Sequence, residues 1–181
     1  MRNAICIVLW LGLAGIACDA GEQHPYRKAL KQSTEIQGYS CAKGYAWFYG
    51  DGRLKSCTVA GDTTFGVARA PEGSWITLDP DGRPKIIQLV RDTQILGYTC
   101  RGGNWLLGPS EGATTAFYPS GKLEECWLAE DQNVQGIPCE RSSMFSGDSS
   151  VQFYESGKLK SCKLSQDYRQ QRRGERFVQA P

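Results

Sequence analysis

The stretches Phe48-Tyr49-Gly50-Asp51-Gly52-Arg53-Leu54, Phe117-Tyr118-Pro119-Ser120-Gly121-Lys122-Leu123 and Phe153-Tyr154-Glu155-Ser156-Gly157-Lys158-Leu159 are one pattern written three times. Each joins an aromatic pair to a small turn, a glycine, a basic residue and a leucine, and a cysteine follows three residues later, at Cys57, Cys126 and Cys162. Upstream of each stands Gly-x-x-Cys, at Gly38 to Cys41, Gly97 to Cys100 and Gly136 to Cys139. A fourth copy, centred on Gly82, carries neither cysteine. Such periodicity specifies an architecture before it specifies an activity.

Small turn residues between short apolar and aromatic runs signal β-hairpins. In the third unit the runs are Ile95 to Cys100, Thr114 to Tyr118 and Leu123 to Leu128, with Pro119-Ser120-Gly121 turning the last two. Four residues before each turn glycine stand Phe48, Leu78, Phe117 and Phe153, and seven after stand Val59, Leu89, Leu128 and Leu164; these form the expected core. Tyr49, Asp79, Tyr118 and Tyr154 come next in sequence and fall on the opposite face, because strand side chains alternate. Leu54, Leu123 and Leu159 have the wrong parity for the core, which calls for a bulge after the turn or a strand buried on both faces.

The degenerate copy is a control. Counting from Gly66, it has Arg69 in place of the first cysteine and Ile87 in place of the second, so the two cysteines vanish together. That is what pairing within a unit predicts: Cys41 with Cys57, Cys100 with Cys126, Cys139 with Cys162. The outer strands of a flat three-strand meander lie about 9.5 Å apart, beyond the roughly 7 Å Cα limit for a disulfide. The first strand of each unit must therefore fold over, or the sheet must curl, giving a layered array of hairpins. Zinc sites want closely paired ligands with histidine help, and the chain's one histidine, His24, precedes the repeats. No metal and no cofactor is expected.

Residues 1–17, with Arg2 and then an uncharged apolar run from Ile5 to Ala17, read as a secretory signal peptide. The run is shorter than the roughly 20 residues a membrane span needs. Leu13-Ala14-Gly15-Ile16-Ala17-Cys18 resembles the lipobox of bacterial lipoproteins, which implies lipidation of Cys18; cleavage near Ala17 or Ala20 would instead give a soluble exported chain. Cysteine parity bears on this choice. Once Cys6 leaves with the signal, six cysteines pair in the repeats and Cys18 is left over. Residues 18–35 read as a polar tether and residues 168–181 as an Arg-rich tail around a repeat domain at 36–167. With a formal net charge of +2, no strongly anionic partner is implied.

The run aromatic-Tyr-x-x-Gly-[Lys/Arg]-Leu-x-x-Cys, then Leu-x-x-Asp and Ile-x-Gly, resembles the MORN-like repeats of bacterial envelope and exported proteins across residues 36 to 167. The resemblance implies an elongated, all-β array of about four hairpin repeats, and a role in scaffolding, membrane proximity or protein contacts. The cysteines are an addition to that pattern, so no functional residue carries over.

The chemistry visible in the sequence is sparse. A Ser-His-Asp or Cys-His arrangement within the repeats is excluded by the position of His24. Asp51, Asp79, Asp81, Glu124, Glu125 and Glu155 fall near turns, where carboxylates are ordinarily solvated. Asp79-Pro80-Asp81-Gly82 lacks the later ligands of a calcium loop, and Gly121-Lys122 and Gly157-Lys158 lack the first glycine of a phosphate loop. Tyr49, Tyr118 and Tyr154, with Trp47, Trp75 or Trp105 nearby, offer a stacking face for glycan or peptide, or else a second core layer. Arg169, Arg172, Arg173 and Arg176 form one stripe if the tail is helical, but an exported protein has little call for nucleic acid, and a solvated tail is expected. The reading is a non-catalytic binding or scaffolding module of the cell envelope, partnered by an envelope protein or glycan; a carboxylate enzyme or an inhibitor acting on an envelope polymer is the alternative.

Overall fold

The computed structural model describes residues 24–103, 114–143, 150–165 and 177–179. The described chain is all β. Its strands are β1 Tyr26–Leu30, β2 Thr34–Ile36, β3 Tyr39–Cys41, β4 Gly44–Phe48, β5 Leu54–Thr58, β6 Thr63–Phe65, β7 Ala68–Ala70, β8 Trp75–Leu78, β9 Pro84–Gln88, β10 Thr93–Ile95, β11 Tyr98–Cys100, β12 Thr114–Phe117, β13 Leu123–Cys126, β14 Gln132–Val134, β15 Ile137–Cys139, β16 Val151–Phe153, β17 Leu159–Lys163 and β18 Phe177–Gln179. Ten of them make one antiparallel sheet in the order β1-β4-β5-β8-β9-β12-β13-β16-β17-β18, and the other eight make four two-stranded hairpins. Each unit therefore holds one large hairpin in the sheet and one small hairpin laid over a single face of it.

The large hairpins share a turn. The Tyr49 carbonyl accepts from Gly52 N–H at 2.9 Å, Tyr49 N–H donates to the Arg53 carbonyl at 2.8 Å, and Asp79, Tyr118 and Tyr154 repeat the arrangement. The turn glycine takes φ of 80° to 87° in all four copies, the left-handed region in which a Cβ is strained. Just beyond the turn the register slips by one residue: Trp47 faces Ser56 while Phe48 faces Leu54, leaving Lys55 as the extra residue of a bulge. Lys85, Glu124 and Lys160 hold the same place in the other copies. This bulge resolves the parity conflict, turning Leu54 and Cys57 to the same face; Leu54, Leu123 and Leu159 are all buried, as are the eight expected core residues.

The small hairpins correct two expectations. Ile95 to Cys100 is not one strand: Leu96 and Gly97, at φ 52° and 84°, turn it back so that Ile95 faces Tyr98. Gln37-Gly38 and Gln135-Gly136 do the same in the first and fourth units. A two-residue turn with positive φ at both positions matches strand twist, and it needs only an X-Gly dipeptide, which is easily read as part of a strand. Second, the residue replacing the first cysteine is Ala70, not Arg69. In the degenerate copy the glycine comes first, as Gly66-Val67, so counting from glycine falls short by one; Thr63 faces Ala70 just as Thr34 faces Cys41. Ala70 and Ile87 are fully buried where the other units place a disulfide.

The three disulfides are Cys41–Cys57, Cys100–Cys126 and Cys139–Cys162, each with Cα atoms 5.8 Å apart. They tie each small hairpin to its own large one, helped by single bridges Cys41 to Val59, Cys100 to Leu128 and Cys139 to Leu164. Between the layers, Phe65 packs edge-on against Phe117 and Tyr98 stacks on Phe153, so the second and third small hairpins also touch the next unit. Such stapling accords with an oxidising compartment.

Both ends of the chain add strands. Within the segment expected as a tether, Tyr26–Leu30 pairs with β4 as an edge strand and Thr34–Ile36 opens the first small hairpin. Tyr26 stacks on Phe48 at 5.4 Å and Leu30 is buried, so apolar contacts at both ends of the strand add to its ladder pairing with β4. In the tail, Phe177–Gln179 pairs with β17. The signal peptide, Cys18, Trp105 and the tail arginines lie outside the described residues.

The open face of the sheet as candidate functional site

Alternation along the sheet puts one face under the small hairpins, while no strand among the described residues lies over the other. Register places Trp47, Ser56, Thr77, Ile86, Ala116, Glu125, Gln152 and Ser161 opposite one another in a single transverse row on the uncovered face. A second row runs Thr58, Trp75, Gln88 and Thr114. Near the β1 edge Tyr45 is 54% and Trp47 37% exposed, and the Arg27 guanidinium lies 4.8 Å from the Tyr45 ring centre. Of the aromatics singled out in the sequence, Trp47 lies on this face beside Tyr45, which the sequence reading did not name.

Tyr49 and Tyr118 have other work. The Tyr49 hydroxyl donates to the Leu78 carbonyl at 2.8 Å and the Tyr118 hydroxyl to the Phe153 carbonyl at 2.8 Å, so each is a strut from one large hairpin to the next. Burial, and next the nearby Asp79 carboxylate, hold the Tyr49 phenol above its ordinary pKa; burial does the same for Tyr118, with Glu124 adding to it. Tyr154, on the last large hairpin, is 39% exposed. The three tyrosines thus occupy equivalent positions, two as struts and one facing solvent.

The carboxylates divide into two groups. Asp51 and Asp81 sit at turn tips, ion-paired to Arg53 and Arg83. Hydrogen bonding to Arg53 holds the Asp51 carboxyl below its usual range. Asp79, Glu124 and Glu125 instead line a groove of about 460 Å³ between the second and third large hairpins, with Lys85, Pro84, Ile86, Ala116, Phe117 and Pro119. Its size falls within the range of small-ligand sites. Asp79 Oδ1 accepts from the amides of Asp81 and Arg83 at 2.9 and 2.8 Å, a turn-capping role that accounts for the Asp-Pro-Asp-Gly run without an ion.

Two sets of positioning residues escaped the sequence reading. Gln37 Oε1 accepts from Leu54 N–H at 3.0 Å, and Gln135 Oε1 accepts from Leu159 N–H at 2.9 Å, clasping a small hairpin to its large turn. Asp62, Asp92 and Asp131 each accept the amide ten residues downstream, at Glu72, Gly102 and Arg141. The recurring Asp of Leu-x-x-Asp was the available signal for the second set; a glutamine seen in only two units is too sparse a signal for the first. Compared with known families, with curated proteins and with solved structures, the chain matches none.

Proposed function

We propose that this chain is an exported module of the bacterial cell envelope, MORN-like in its repeats, that works by binding or scaffolding and is tethered to the membrane by a lipid on Cys18. The observation that carries the reading is the asymmetry of the sheet: one face is sealed by disulfide-stapled small hairpins, while the other is left open with Tyr45, Trp47 and a groove. A rigid platform with one uncovered face suits contact with a protein or glycan and costs little ordering on binding. The test is a photo-crosslinking amino acid placed at Trp47 or Gln152, in the chain exported by its native host, with the same group at Leu96 in the hairpin layer as control. Adducts confined to the open face support the reading; equal adducts at all three sites, or none, overturn it. The anchor is tested by intact mass: a diacylglycerol-modified chain beginning at Cys18 supports it, and an unmodified start near Ala17 or Ala20 makes the protein soluble.

The gathering of Asp79, Glu124 and Glu125 beside Phe117 favours one second reading, an enzyme or inhibitor acting on an envelope glycan or peptide. Hydrolysis of envelope glycan by the purified protein, lost in Glu124→Gln and Glu125→Gln variants, would move the assignment to it.

A further inference from the structure

The repeat makes the three junctions between large hairpins comparable position by position. At the first, Tyr49 crosses to the Leu78 carbonyl, and Lys55 Nζ lies 5.7 Å from the Tyr49 ring centre. At the third, Tyr118 crosses to the Phe153 carbonyl. At the second junction the strut position holds Asp79, the acceptor position holds Phe117, and the bulge lysine is Lys85. An ionised carboxylate has no proton to donate to a carbonyl, and Asp79 Oδ1 is engaged by its own turn. The groove lies at this junction, bounded by the strut, acceptor and bulge residues.

We propose that the groove is a docking site for a tyrosine side chain of a partner polypeptide, with lysine or arginine beside that tyrosine. This deepens the binding reading above and rests on it. The guest ring takes the place that Tyr49 and Tyr118 take at the neighbouring junctions, and its hydroxyl donates to the Phe117 carbonyl. Pro84, Ile86 and Ala116 supply the apolar walls. Of the charged residues lining the groove, Asp79, Glu124 and Glu125 outnumber Lys85, so the surroundings favour a cationic neighbour on the guest. None of these three carboxylates has an ion-pair partner among the described residues.

The test uses the full exported, oxidised protein, isotope-labelled for amide NMR, and the blocked peptides Lys-Tyr-Lys, Lys-Phe-Lys and Glu-Tyr-Glu, with p-cresol as the bare phenol. Lys-Tyr-Lys is expected to shift the amides of Lys85, Ile86, Ala116 and Glu125 saturably. Lys-Phe-Lys should bind about fivefold more weakly, the factor for a hydrogen bond of about 1 kcal/mol, and Glu-Tyr-Glu more weakly still. Asp79→Tyr supplies the strut from within and should abolish binding while raising the thermal midpoint. Ala116→Phe closes the groove from its other wall and serves if Asp79→Tyr does not fold. Equal affinity for Lys-Tyr-Lys and Lys-Phe-Lys, or undiminished binding by a folded groove-filling variant, would overturn the site. Tighter binding of p-cresol than of Lys-Tyr-Lys would overturn the polypeptide partner in favour of a free phenol. Open-face crosslinks that persist when no peptide binds would sink the tyrosine site alone and leave the binding module standing.

Discussion

Replacing Cys139 and Cys162 by alanine and isoleucine copies into the fourth unit the solution that the second unit already uses at Ala70 and Ile87. The bridge closes a separation of 23 residues. The chain-entropy relation puts the loss for a loop of this length at about 3.4 kcal/mol. Isoleucine returns part of this, since both cysteines are buried and each added buried methylene contributes roughly 0.8 kcal/mol. The Ala/Ile variant should therefore lose about 2 kcal/mol, while a double-alanine variant, which also leaves space beside the sheet, should lose about 4 kcal/mol. Equilibrium urea unfolding followed by tryptophan fluorescence measures both, with unchanged m-values as the check on two-state behaviour. If the Ala/Ile variant were as unstable as the double alanine, the equivalence of Ala70 and Ile87 to the bridge, and the register on which it rests, would be refuted. The three loops do not overlap, so their contributions add to about 10 kcal/mol. That is comparable to the whole stability of a domain.

Dithiothreitol alone is accordingly expected to unfold the protein at 37 °C, seen as loss of amide dispersion. Tyr49→Phe and Tyr118→Phe should each cost about 1 kcal/mol in urea unfolding, because each removes one inter-hairpin hydrogen bond, while Tyr154→Phe, at an exposed site, should cost nothing measurable. Gly121→Ala should lose roughly 1 to 2 kcal/mol through backbone strain, since φ there is +80° and no atom lies within 4 Å of the added carbon. For Tyr49 the folded pKa is raised, so the stabilisation is fully present below the unfolded phenol pKa and is lost as pH rises through the folded one. Ultraviolet titration should find this tyrosine ionising later than free tyrosine, and Asp79→Asn should bring its midpoint down.

The residues that announce the fold do so through local chemistry. The turn glycines, the aromatic four residues ahead and the aliphatic seven residues behind are each decided within a single hairpin, so spacing alone located the strands of the large hairpins and the core they bury. Pairing of the cysteines was legible for a related reason: the degenerate unit drops both partners together. The small hairpins were less legible, because Leu96-Gly97 and Gln37-Gly38 turn the chain within only two residues, and strand-forming residues flank them on both sides.

What the sequence alone determined is the all-β class, the repeat, the bulge or doubly buried strand after each turn, and the three bridges, all of which follow from short-range periodicity and parity. Tertiary structure decided how the faces are used. Which aromatics remain exposed depends on strand register and on which face the small hairpins cover, so Tyr49 and Tyr118 became struts while Tyr45 and Trp47 stayed uncovered. The groove was likewise invisible in one dimension: Asp79 reads as a turn residue in its own hairpin, and its consequence arises only where the next hairpin offers an acceptor across the junction.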